Sequence, residues 1–144
     1  MSLSANAVPW LCFLLAAALG CAGGVPTPAP TPAGAAMVTG TVTYRERIAL
    51  PPGATVTVRL QDVSRADAPA EVLAVQVLTP TAQVPIPFAL AYDPARIDTR
   101  HSYSVGARIE VDGKLWFISD THNGVLTQGG TNEVEVVVRR VPGG

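Results

Sequence analysis

From Val38 to Val138 the apolar side chains recur at every second position, the period of a strand with one buried face. Val38, Gly40, Val42 and Tyr44 share one side, with Thr39, Thr41 and Thr43 on the other. After the turn Pro51-Pro52-Gly53, residues Ala54, Val56, Val58 and Leu60 alternate with Thr55, Thr57, Arg59 and Gln61. Leu73, Val75 and Val77 follow, and then Val84, Ile86, Phe88, Leu90 and Tyr92 form a third clear stripe. Pro85 and Pro87 interrupt that stripe on its opposite side. A proline cannot donate to a ladder, so an edge strand or an irregular one is expected there. Nothing reads as an amphipathic helix. At most a single helical turn fits Asp93 to Ile97, around Pro94.

The sharpest local signal is Val111-Asp112-Gly113-Lys114. Asp-Gly between two apolar runs favours a two-residue type I′ hairpin turn. A regular register then pairs Val111 with Lys114, Glu110 with Leu115, Ile109 with Trp116, and Ala107 with Ile118. Tyr103, Val105, Ala107, Ile109, Trp116 and Ile118 would share the core face, and Leu115 and Phe117 would point away, beside Arg108 and Glu110. Either a second layer covers that opposite strip, or it is an apolar surface for a partner, with Leu115, Phe117 and Arg108 as the candidate binding residues. Val134, Val136 and Val138 supply the last strand. About seven short strands at this spacing predict an all-β fold, an antiparallel β-sandwich of immunoglobulin-like or transthyretin-like type. A small barrel is the alternative.

The N-terminal part differs in kind. The first 44 residues carry no Asp, Glu, Lys, Arg or His. An apolar run from Val8 ends in Ala18-Leu19-Gly20-Cys21, the pattern of a bacterial lipoprotein cleavage and lipidation site. Small side chains before the scissile bond let an extended backbone enter a signal peptidase, and the Cys21 thiol can then carry lipid. The run falls short of the ~20 apolar residues that span a bilayer, which argues against an uncleaved anchor. Cys12 would leave with the signal, so Cys21 would have no disulfide partner. The expected organisation is a signal peptide over residues 1–20, a lipidated cysteine and Pro-rich linker over 21–36, and the β-sandwich over 37–141. The linker, AGGVPTPAPTPAGAA from Ala22, is an extended spacer of about 3.1 Å per residue. Ala22 is not the acidic residue that commonly retains such proteins at the inner membrane. A palmitate-bearing anchor in the outer membrane, facing the periplasm, is therefore expected.

Every charged residue falls in the C-terminal part, ten basic against eleven acidic. Nucleic acid and anionic lipid both call for a basic surface, and neither is expected as a partner of the domain. With no disulfide available, about 105 residues must be held by their core alone, which that length allows.

The domain resembles the YbaY-like family of small bacterial lipoproteins, which takes in type III secretion lipoprotein chaperones. The residues that carry the resemblance are Val38 to Tyr44, Leu50 to Ala54, Val56 to Ser64, Ile86-Pro87-Phe88, Tyr92-Asp93, Tyr103 to Ile109, and Val125-Leu126-Thr127. The resemblance implies a lipid-anchored β-sandwich in the envelope of a bacterium with an outer membrane. The secretion chaperones, or pilotins, bind a secretin subunit and help it reach that membrane. No catalytic residue is carried over, and no partner-binding residue is matched.

Two histidines are the remaining candidates for chemistry. His101 lies in Asp98-Thr99-Arg100-His101-Ser102, and His122 in Ser119-Asp120-Thr121-His122-Asn123-Gly124. Their loops would approach if the hairpin continued, offering metal ligands or an acid and a base. Yet no His-x-x-x-His, cysteine ligand or Gly-x-Ser-x-Gly elbow is present. Asp, Ser, Thr, Asn and Gly are also what turns use for local hydrogen bonds. Asp62, Asp67 and Glu71 lack the ligand alternation of a calcium loop. Gly129-Gly130 lacks the lysine of a phosphate loop and reads as a turn. No catalytic residue, metal or cofactor is expected. The function expected is non-enzymatic binding, or assistance in assembling another envelope component. A small-ligand or polysaccharide module, and a hydrolase using His101 or His122, are the alternatives.

Overall fold

The computed structural model describes residues 35–143. The expected signal peptide, the expected lipidation site Cys21 and most of the expected linker lie outside them. Nine strands are found among the described residues: β1 Ala36–Thr43, β2 Ala54–Asp62, β3 Glu71–Leu78, β4 Ile86–Tyr92, β5 Tyr103–Val111, β6 Lys114–Ile118, β7 Gly124–Val125, β8 Glu133–Val137 and β9 Arg139–Arg140. They form two sheets. The smaller has the order β4-β1-β8, and the larger β3-β2-β5-β6-β9, with β7 on β5. The all-β sandwich is thus present. It departs from the expectation in one pair, since β1 and β8 run parallel.

The alternating stripes of β1, β2, β4 and β5 are the inner faces. Val38, Val42, Val56, Val58, Leu60, Phe88, Leu90, Tyr103, Val105 and Ile109 are all buried in one cluster. Each such side chain stabilises the fold by about 1.5–3 kcal/mol when fully buried. β4 is an edge strand, as its prolines predict, pairing with β1 alone. The short helical turn is a single 3-10 turn, Pro94–Arg96, capped by the Asp93 side chain through the Ala95 amide.

The β5–β6 hairpin closes as its sequence predicts. Asp112 and Gly113 have φ of 51° and 77°, the two positive values of a type I′ turn. Val111 pairs with Lys114 and Glu110 with Leu115, but beyond them the register shifts. Ile109 lies opposite Phe117, and Arg108 opposite Ile118, because a bulge intervenes after Ile109. Trp116 is the extra residue, half-buried, with the Arg140 guanidinium 5.4 Å from its ring centroid. The expected faces of β6 are therefore corrected past Leu115. Phe117 is in the core, 1% exposed and stacked on Tyr44 at 4.5 Å between centroids. Ile118 faces outward.

β3 is corrected as well. The pairings Thr57 with Val77 and Arg59 with Val75 put both valines outward, 62% and 53% exposed. The reason lies in Gln76. Its Oε1 accepts the Ala89 amide of β4 at 2.9 Å, tying the edge of one sheet to the edge of the other. That bond needs Gln76 on the inner side, and the valines follow to the outer one.

Candidate functional site

The two histidine loops meet where β5 begins. Ser102, Tyr103, His122, Gly124 and Thr127 line one open pocket of about 320 Å3. The Thr127 hydroxyl donates to the His101 carbonyl at 2.6 Å. The loops approach as expected, but their side chains do different work. His101 Nδ1 lies 2.6 Å from Asp62 Oδ2, whereas His122 is exposed beside Gly124.

A histidine paired with a carboxylate supplies two of the three members of a catalytic triad, so its neighbours decide its use. Asp62 Oδ1 accepts the Ser64 amide at 2.9 Å and the Ser64 hydroxyl at 2.5 Å. Ser64 Oγ in turn accepts the Ser102 amide at 2.9 Å. The serine is bound to the carboxylate and not to the imidazole, so His101 does not hold the Ser64 hydroxyl as an activating base would. The network instead clamps the end of β2 to the loop entering β5. Asp98 works similarly, its carboxylate gripped by the Arg100 side chain and amide, which hold its pKa well below the ordinary range. Among the described residues no group of three or more His, Cys, Asp or Glu side chains is placed to hold a metal ion.

The Asp120–Gly124 segment serves the fold in the same way. Its neighbour Ser119 accepts the Ala107 amide through Oγ, and Asn123 Nδ2 donates to the Val105 carbonyl at 3.0 Å. Ser104, buried in β5, accepts the Asn123 amide. These bonds carry the chain along β5 between β6 and β7, as turn residues do. Gly130 completes the loop, since a Cβ there would lie 2.8 Å from the Val125 backbone.

The Asp62 clamp has a pH signature. Burial pushes its carboxyl up, but the bonds from Ser64 and His101 outweigh this and the net pKa is lowered. A carboxyl depressed on folding stabilises above its unfolded value of about 3.9, and that contribution is lost as pH falls through the lower folded value. Asp62→Asn should therefore lower the melting temperature at pH 7 and leave a shallower fall on acidification below pH ~4. Equal slopes for the two proteins would show that Asp62 carries no such linkage.

The other notable surface is the outer face of the larger sheet. Val77, Thr57, Arg108 and Ile118 form one row across β3, β2, β5 and β6, and Val75, Arg59 and Gly106 form the next. Val75, Val77 and Ile118 (42% exposed) are apolar, and Val72 is exposed near by on β3. Arg108 faces Glu110 at 3.8 Å, while its Nε is buried without a partner. Of the residues first expected to form such a strip, Arg108 lies on this face and Leu115 is half-buried opposite Glu110. Phe117 belongs to the core and is removed from the strip. Sequence reasoning missed Val75, Val77 and Ile118. The lone polar Gln76 inside an apolar run was the available sign that β3 has an unusual inner face.

A second cleft, about 530 Å3, lies among Arg45, Glu46, Asp120, Arg139 and Arg140. Its groups are largely engaged, Arg139 with Asp120 at 3.3 Å and Glu46 with the Arg140 amide at 3.2 Å. Every aromatic among the described residues is buried or half-buried, and Trp116 lies beneath Arg140. An open stacking platform of the kind sugar binders use is missing from these residues.

The site is thus a small β-sandwich that exposes Val75, Val77 and Ile118 on the outer face of its larger sheet, with His101 held by Asp62 and His122 exposed. The chain belongs to the type III secretion system lipoprotein chaperone (YscW) family, which matches residues 33–138. It is 46% identical over 95 residues to the uncharacterized lipoprotein YbaY of Escherichia coli K12. That alignment spans 65% of this chain and 50% of the relative, so the match covers half of that lipoprotein's length. The structure also matches an alternative pilotin from the type II secretion system of Vibrio cholerae, with a TM-score of 0.69 and 54% identity. That match covers 74% of this chain and 99% of the pilotin. The family expected from the sequence is the one found.

Proposed function

We propose that this protein is a lipid-anchored chaperone of the bacterial envelope, non-enzymatic, that binds a secretion component and assists its assembly in the outer membrane. The observation that carries this reading is the likeness to the pilotin, which extends over nearly all of that chain at 54% identity. The exposed valines of β3 and Ile118 supply a surface suited to an apolar partner segment, since large exposed apolar patches mark interaction sites. The anchor rests on Leu19-Gly20-Cys21, and a single thiol bearing lipid also explains a cysteine without a partner.

The experiment follows the partner. In the organism's own cells, wild-type protein should incorporate a palmitate analogue, and its secretin subunit should fractionate with the outer membrane. Cys21→Ser should abolish the label and move much of the secretin to the inner membrane. An unlabelled wild-type protein would remove the anchor, and unchanged secretin fractionation would remove the chaperone role.

A further inference from the structure

Drawing an arginine out of water costs free energy unless an acid or another acceptor pairs with it. The arginines of this domain are arranged the other way round. Arg96, Arg100 and Arg139 are exposed, and each holds a carboxylate: Glu71 at 2.7 Å, Asp98 at 2.7 Å and Asp120 at 3.3 Å. Among the described residues, Arg59 and Arg108 are the two half-buried arginines, and neither has an acid within hydrogen-bond distance. Their neighbours on the outer face of the larger sheet give the reason. Across the strands Arg59 stands between Val75 and Gly106, and Arg108 between Thr57 and Ile118, all uncharged. Glu110, two residues along β5, reaches Arg108 only at 3.8 Å. The Arg108 Nε is buried with no acceptor at all, a donor left unmade at a cost to the free protein.

Resting on the chaperone reading above, we propose that Arg59 and Arg108 form a receptor for a carboxylate, an acidic side chain carried by an apolar segment of the secretion partner. The two arginines are diagonal neighbours on β2 and β5, a spacing of about 7–8 Å that long side chains close. A carboxylate supplies the acceptors that both guanidinium groups lack, in the forked geometry that arginine favours. Apolar residues on either side of the acid cover Val75 and Val77 on one flank and Ile118 on the other, all three exposed, where a charge finds no counterpart. The arginines are already half out of water, so less of their desolvation remains to be met on binding. A bilayer is the poorer occupant. A surface that enters lipid sends its cations to the rim, towards the headgroups, and keeps apolar side chains at the centre. Here the charges are central and the apolar side chains flank them.

Titration of the organism's purified secretin subunit into the mature protein, with melting temperatures measured alongside, tests this. Arg108→Met keeps an apolar stem and removes the orphaned donor. It should hold or raise the melting temperature and weaken binding at least tenfold, opposite directions that a purely structural arginine would not produce. Arg59→Gln should leave the melting temperature unchanged and weaken binding by a similar factor. Equal affinity of both variants and the wild type would overturn the carboxylate receptor while leaving the chaperone reading intact. Absence of any binding by the wild type would overturn both. A melting temperature lowered by Arg108→Met, with Arg59→Gln binding normally, would assign the arginine to the fold and overturn the proposal. Binding of the unlipidated protein to phosphatidylglycerol vesicles, lost in both variants, would assign the pair to lipid phosphate and would also overturn it.

Discussion

Gly40→Ala should destabilise the domain by about 3 kcal/mol, the upper end of the usual cost of overpacking. A Cβ at this position would stand 1.8 Å from the Val134 carbonyl oxygen and 2.9 Å from the Phe88 ring. The ring could shift, but the carbonyl belongs to the β8 backbone opposite Gly40 and has no rotamer to change. Because β1 is the central strand of the smaller sheet, displacing it disturbs its pairing with both β4 and β8. For a domain of this size the melting temperature should drop by roughly 12–20 °C. A drop of only a degree or two would mean that β1 and β8 do not approach this closely.

Phe117→Ala should cost about 3–5 kcal/mol, the range for deleting a buried aromatic ring. Phe117 stacks on Tyr44 with only 14° between the ring planes, so the deletion opens a void between the two sheets. Leu115→Ala, half-buried opposite Glu110, should cost about 1 kcal/mol, in line with ordinary single substitutions. The comparison reads the hairpin register directly. A regular hairpin without the bulge would put Phe117 and Leu115 on the same outer face and make both substitutions mild. Chemical denaturation of the two variants separates these cases.

Those two residues also mark how far the sequence could be read. The strands and their turns were legible because alternation and the Asp-Gly turn are local signals, and β1, β2, β4 and β5 bury the stripes their sequences show. The edge position of β4 followed from Pro87, whose missing amide is a local fact too. What was not legible depended on distant contacts. The bulge after Ile109 lets Phe117 reach Tyr44, 73 residues earlier in the chain, and nothing in the hairpin itself announces that partner. The phase of β3 is decided by Gln76 bonding Ala89 across the seam, while the valine alternation suits either phase. At the histidines the turn chemistry was readable in Ser119, Asn123 and Asp98. The grip of Asp62 on His101 was not, because 39 residues separate them.

The chaperone reading is tested most directly by titrating a purified secretin subunit from the same organism into the mature protein. Wild-type protein should bind saturably, and the double variant V77K/I118K should bind at least tenfold more weakly with an unchanged melting temperature, because both positions are exposed. No binding by the wild-type protein, or equal affinity of the variant, would contradict the assignment of this sheet face to a secretion partner.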